Sequence, residues 1–163
     1  MKPETLPQEI VDLLLPRLQD EFTALYFYRE ATNWCRNAGY MKAADFFKKE
    51  SDSELEHAKG IEDFITDWNV QPDLPSIETP VTFTGLIDII NKAYQLEFSL
   101  YAEYEDTSVK IFRTGDICVF DFLQKYRKIQ NDSVVEYSDI LNKLEGVKED
   151  KFQLLMLEDK LFS

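Results

Sequence analysis

The amino-acid sequence predicts an all-α protein: a four-helix bundle with one long crossover and a short fifth helix at its C-terminal end. Three observations lead there. Only 5 Gly and 6 Pro occur in 163 residues, too few to turn an all-β chain. Those breakers cluster and leave four long uninterrupted segments. Within each segment apolar residues recur at steps of three and four, the period of a helix with one buried face.

The first segment, about 7–36, carries Ile10, Leu14, Leu18, Leu25, Tyr28 and Cys35 and stops at Asn37, Ala38 and Gly39, a helix C-terminus. Pro16 marks a kink or a later start within it. The second, about 40–68, repeats Met41, Ala44, Phe47, Ala58, Ile61 and Ile65. Residues 69–81 contain Pro72, Pro75 and Pro80 and cannot be helical. The third, about 82–113, places Leu86, Ile90, Ala93, Tyr101, Tyr104 and Ile111 on one face and ends before Thr114 and Gly115. Asp116 is a suitable N-cap for the fourth, about 116–145, whose stripe is Phe120, Leu123, Tyr126, Val134, Tyr137, Leu141 and Leu144. A tail, about 149–162, with Phe152, Leu154, Leu155, Met156, Leu157 and Leu161, is apolar enough for a fifth helix.

Connector lengths set the topology. Tight turns join helices one and two, and three and four, so each pair is antiparallel. A helix of about 30 residues is ~45 Å long. The 69–81 linker, fully extended, covers ~43 Å, so it can return the chain along the whole bundle. The length fits one domain spanning 1–163.

The charge balance excludes some functions. With 31 acidic and 18 basic side chains the net charge is −13, which repels phosphate backbones and attracts cations, or simply solubilises the surface. Nucleic acid is therefore not an expected partner. No apolar run reaches the ~20 residues of a membrane span. Met1, Lys2 and Pro3 open no signal peptide, and Cys35 and Cys118 are too few for a disulfide framework, so a cytoplasmic protein is expected. His57 is the single histidine, which excludes three-histidine zinc sites and paired-histidine di-iron motifs.

The informative positions are polar residues inside the apolar stripes. The first stripe lands on Glu21, the second on Glu54 and His57, the third on Glu97 and the fourth on Gln130. Each taken alone has a plain structural explanation. Glu21 could pair with a Lys or Arg at the boundary, and Gln130 could be a hydrogen-bonded core amide. Together, four helices each bury an oxygen or nitrogen donor near mid-length, and a lone buried carboxylate is costly. A shared cation explains the coincidence. Glu54 and His57 form E-x-x-H, with i and i+3 on one helix face.

On these residues the sequence resembles the ferritin family in its bacterial non-haem form. The stretches that carry the likeness are Glu21 to Tyr28 with Trp34 and Cys35, Glu54-x-x-His57, Tyr94 to Glu97, and Phe122 to Tyr126 followed by Gln130. The resemblance implies that Glu21, Glu54 and His57 hold one iron, that Glu54 bridges to a second held by Glu97, and that Gln130 stands nearby. Tyr28 falls beside that site, as a hydrogen-bond or electron donor, or as simple core packing. A methionine that would ligate haem is replaced by Leu55, so no haem is expected. Asp116 would lie near a pore as well as capping a helix. The helix-four carboxylates of an auxiliary iron position are missing, since Ile129, Asp132 and Ser133 stand there, and Ser53 precedes Glu54.

The implied function is iron storage. By the resemblance, Fe(II) would be oxidised by O₂ at an intrasubunit di-iron ferroxidase site and kept as ferric mineral inside a hollow homo-oligomeric cage, expected to have 24 subunits. Two alternatives stay open: an iron-binding shell subunit with weak ferroxidase activity, and a small-oligomer di-metal carboxylate oxidase acting on an organic substrate.

Overall fold

A computed structural model describes residues 4–78 and 81–163. The expectations resting on Met1 to Pro3 and on Pro80 lie outside the described residues. Five helices follow in order: α1 (Gln8–Ala38), α2 (Met41–Asp67), α3 (Leu86–Thr114), α4 (Ile117–Lys143) and α5 (Lys151–Leu161), with no strand among the described residues.

Local chemistry fixes the helix ends. Gly39 adopts φ 84°, and the following Tyr40 amide donates to the Cys35 carbonyl at 2.8 Å, closing α1. Asp116 caps α4 by accepting from the Val119 amide at 3.0 Å. Helix α3 starts at Leu86, later than the expected Thr82. The Glu149 carboxylate accepts the Leu86 and Ile87 amides at 2.7 and 2.9 Å and so caps α3 from a distant segment. Gly85 is needed for that approach, because a Cβ there would stand 2.3 Å from the Glu149 carboxyl carbon. Helix α1 continues through Pro16: proline's φ suits a helix, and the cost is one missing donor and crowding of the carbonyl one turn earlier.

The four long helices pack α1 against α2 and α3 against α4, with α1 also meeting α3. Val70, at the start of the crossover, packs on one half of the core, whereas Val81 and Phe83, at its end, pack on the other. The connection therefore returns the chain along the bundle, and α2 and α3 point the same way. Helix α5 closes the second end with Leu154 and Leu161, and its Glu158 accepts the Ala43 amide at 3.1 Å. Met41, placed in the α2 stripe by its spacing, is 54% exposed, because it is the first residue of its helix and lies above the last packed turn.

The core is divided. One cluster holds Leu14, Leu18, Ile61, Ile65, Ile111 and Leu123; the other holds Ala31, Phe47, Ile90, Tyr137, Ile140 and Leu154. The buried polar groups Glu21, Ser51, Glu54, Glu97 and Gln130 lie between them. Burial of apolar side chains at both ends, about 25 cal/mol per Å², thus clamps a polar layer at mid-height.

Candidate metal centre

Every long helix contributes to that layer. Helix α1 supplies Glu21 and Tyr28, α2 supplies Glu50, Glu54 and His57, α3 supplies Glu97 and Tyr104, and α4 supplies Tyr126, Gln130 and Tyr137. Glu21 and Glu97 are fully buried, Glu54 nearly so, and Gln130 is 1% exposed.

One part of the layer is tightly assembled. Donor atoms of Glu21, Glu54 and His57 all lie within 4.8 Å of one another, the one such group among the described residues. Nδ1 of His57 stands 3.0 Å from Glu54 Oε2 and 3.3 Å from Glu21 Oε2. The E-x-x-H spacing produces the first contact, since i and i+3 project from the same helix face. The second crosses from α2 to α1. Glu21 is held further by the Tyr104 hydroxyl, which donates to Oε1. Behind His57, Tyr126 sets its ring edge-on at 6.0 Å and donates to the His57 carbonyl at 3.3 Å. Gly60 makes room for it: a Cβ there would lie 2.2 Å from the Tyr126 hydroxyl.

The electrostatics of this part follow from one imidazole facing two acids. Burial works against charge on His57, but the hydrogen bonds and charges of Glu21 and Glu54 outweigh it and raise the imidazole to about 10. Burial also pushes Glu21 up, but its hydrogen bonds from His57 and Glu54 prevail and keep it below the usual carboxylate range. Glu54 is driven well above that range by burial and by the charges of Glu21 and Glu97. Glu54 is thus biased toward its neutral form, Glu21 toward its anion and His57 toward the imidazolium. A cation there would displace the protons of Glu54 and His57.

The other part is looser. Glu97 does not join the three-residue group. Its Oε1 accepts the Tyr28 hydroxyl, while its Oε2 is buried with no hydrogen-bond partner. Burial and the charges of Glu50 and Glu21 lift Glu97 to about 8 against the Tyr28 hydrogen bond. Gln130 Oε1 is likewise buried and unpartnered. Neither plain explanation offered by the sequence describes these residues. Among the described residues Glu21 has no Lys or Arg partner, for Arg17 turns instead to Asp20 and Glu103 at 2.8 and 3.1 Å. Gln130's carbonyl is not a satisfied core amide. Buried oxygens without donors cost about 1–3 kcal/mol each, and a cation ligated there would remove that cost.

Sequence reading missed Tyr104, Glu50 and the pairing role of Tyr137. The signal was present in the tyrosines: a Tyr rather than a Phe at a fully buried stripe position carries a hydroxyl that needs a partner. Glu50 lies one turn before Glu54, at i−4, on the same face.

The ferritin-like domain family matches residues 11–147, and the chain belongs to the ferritin family. It is 25% identical over 157 residues to a probable bacterial non-heme ferritin-like protein of Haemophilus influenzae, covering 96% of this chain and 95% of that one. It is 22% identical over 140 residues to the bacterial non-heme ferritin of Escherichia coli, covering 85% of each. Among solved structures, an open pore ferritin from Archaeoglobus fulgidus superposes with a TM-score of 0.89 at 22% identity, covering 96% and 98% of the two chains. That likeness establishes the fold: a ferritin four-helix bundle. No described helix is long and apolar enough to cross a membrane.

Proposed function

We propose that this chain is a cytoplasmic iron-storage subunit that oxidises Fe(II) with O₂ and keeps the product as ferric mineral inside a homo-oligomeric shell. The observation that carries the reading is the polar layer itself. Two carboxylates and one imidazole converge within 4.8 Å, and the buried oxygens of Glu97 and Gln130 in the same layer lack donors. Carboxylates with a single imidazole suit Fe(II) and favour Fe(III) still more, because hard oxygen donors stabilise the higher charge. Glu21, Glu54 and His57 would take the first iron; Glu54 and Glu97, with Gln130 beside them, would take the second. Two Fe(II) would each give one electron to O₂, and with about four waters per pair hydrolysis of the Fe(III) would leave ferric oxo-hydroxide, hydrogen peroxide and protons. The chain's own groups orient the ligands. Tyr104 and Tyr28 each bind one oxygen of Glu21 and Glu97 and leave the other oxygen for metal. The protons on His57 and Glu54 leave when iron enters.

The initial rate of Fe(II) oxidation per subunit tests this. Glu54→Gln keeps the side-chain shape and is expected to slow oxidation by about tenfold or more, since it removes the one group shared by both irons. A wild-type rate in that variant overturns the assignment. Light scattering on the purified protein tests the shell: a monomer or dimer in solution overturns it and favours a small-oligomer oxidase. The looser Glu97 part supports a second reading, a shell subunit with weak oxidase activity, and a slow wild-type rate in a large particle would select it.

A further inference from the structure

We propose that a groove between α1 and α2 binds a small tetrahedral oxyanion, of which inorganic phosphate is the simplest member. None of the residues that line it belongs to the metal centre, and the inference holds whether or not the chain oxidises iron.

The groove has a volume of about 290 Å³, close to the ~300 Å³ lower end of small-ligand sites. Helical spacing builds both walls. On α1, Arg29, Thr32, Asn33 and Arg36 fall at steps of three and four and share one face; on α2, Lys48, Ser51 and Asp52 do the same. The floor is buried and the rim is exposed. Thr32 and Ser51 are 7% and 5% exposed, whereas Arg29, Arg36 and Lys48 reach into solvent. Thr32 gives its proton to the Tyr28 carbonyl at 2.7 Å and so offers the groove no donor. Ser51 makes no such bond. A serine inside a helix can bond back to the carbonyl four residues earlier, yet the Ser51 hydroxyl has no hydrogen-bond partner among the described residues. It is a buried donor that only a guest in the groove can satisfy, and buried polar groups in folded proteins are rarely left unsatisfied.

Charge selects the guest. Lys48 Nζ stands 2.7 Å from Asp52 Oδ2, so the one carboxylate in the lining is matched. Arg29 and Arg36 have no ion-pair partner among the described residues, and the groove therefore keeps the charge of two guanidiniums in a chain of net charge −13. They leave α1 two turns apart, ~10.5 Å along its axis, on either side of the Thr32 and Asn33 level, a span that two arginine side chains can close over one ion. A guanidinium presents a planar fork of N–H donors, stays protonated and matches the oxygens of an oxyanion two at a time. The same lining repels a metal cation. A nucleic-acid duplex or an anionic membrane is repelled by the acidic surface around it, and neither fits down to a floor that is almost closed to solvent. A small oxyanion meets two charged forks at the rim and one hydroxyl donor below.

The test is a calorimetric titration of the full chain with inorganic phosphate, after iron has been stripped, because ferric iron binds phosphate by itself. Wild type is expected to bind phosphate saturably. Arg29→Gln and Arg36→Gln each remove a charged donor and are expected to weaken binding by about tenfold or more. Ser51→Ala removes a neutral donor and is expected to weaken it by about threefold or more. Lys49→Gln removes the same charge from a neighbouring α2 position outside the lining and is expected to leave the affinity within about twofold. Absence of saturable binding by wild type up to about 10 mM phosphate overturns the inference. Binding that Lys49→Gln weakens as much as the arginine variants do, and that Ser51→Ala leaves unchanged, also overturns it, since that is diffuse attraction to surface charge. If wild type binds no phosphate and Arg29→Gln changes the particle size in light scattering, the arginines serve acids of a second copy of the chain and the oxyanion site is withdrawn. The three variants replace exposed residues or exchange a hydroxyl for hydrogen, so the fold that carries the readout is kept.

Discussion

The polar layer has two sides that solve the same problem in opposite ways. Around Glu21 the buried negative charge is met by an internal cation, the His57 imidazolium, and by the Tyr104 hydroxyl. Around Glu97 no cation lies at contact distance among the described residues, and the acids shift toward their neutral forms, Glu97 raised to about 8 and Glu50 to about 7. The first side is organised before metal arrives. The second is held in a neutral form that metal must displace. Buried charge is tolerated either by pairing or by neutralisation, and this bundle uses both within one layer.

The contrast is broken or sharpened first by removing the internal cation. His57→Gln leaves Glu21 buried without its partner, and loss of one member of a buried pair costs about 3 kcal/mol or more. His57 is raised from 6.5 to about 10 on folding, so its contribution is fully present below pH 6.5 and fades as pH rises through about 10. Thermal unfolding of the metal-free protein should therefore show the variant much less stable at pH 6 and closer to wild type above pH 10. Equal stability at pH 6 would remove the idea of an internal cation.

Glu97→Gln should act with the opposite sign. Glu97 is raised on folding from 4.5 to about 8, so the stability it contributes is present below pH 4.5 and lost as pH rises through about 8. Glutamine keeps the acceptor for Tyr28 and carries no titrating proton. Metal-free Glu97→Gln should match wild type near pH 4.5 and exceed it by about 3 kcal/mol at pH 7, on the scale of 1.36 kcal/mol for each pH unit in which the unfolded carboxyl is ionised and the folded one is not. A destabilised variant at pH 7 would mean that Glu97 is ionised and paired after all, and the two sides would no longer differ.

How far the sequence foretold this follows from the same contrast. The helices, the crossover and the depth of Glu21, Glu54, His57, Glu97 and Gln130 are legible because burial imposes a period of three to four, and a polar residue breaking that period is visible in one dimension. The pairing of Glu54 with His57 is local in sequence and was readable too. What could not be read is pairing across helices. Tyr104 with Glu21 and Tyr137 with Glu50 join residues far apart in the chain, and both tyrosines pass as apolar in a stripe. Glu50 escaped because it sits at the edge of its stripe, half-buried, where an acid is ordinary. The capping of α3 by Glu149 was hidden for the same reason, so the start of that helix was misplaced.

The smallest expected effect separates the two tyrosine hydroxyls. Both rings are fully buried and stacked, Tyr104 on Tyr126 at 5.9 Å and Tyr137 on Tyr28 at 6.2 Å, so replacement by Phe removes an oxygen and leaves the packing. The acceptors differ. Tyr104 donates to Glu21, which is ionised throughout the neutral range, and a hydrogen bond to a charged group contributes about 1.5–3 kcal/mol. Tyr137 donates at 3.4 Å to Glu50, which is largely protonated below about pH 7, so its bond is long and has a neutral acceptor there. Tyr104→Phe should therefore cost about 2 kcal/mol, nearly constant from pH 5 to 8. Tyr137→Phe should cost about 0.5 kcal/mol at pH 5, and its cost should grow above pH 7 as Glu50 ionises and becomes the stronger acceptor. Urea unfolding of both metal-free variants across that range measures the difference. Parallel pH profiles would show that the two carboxylates share one protonation state, and the division of the layer into a paired and a neutralised side would fail.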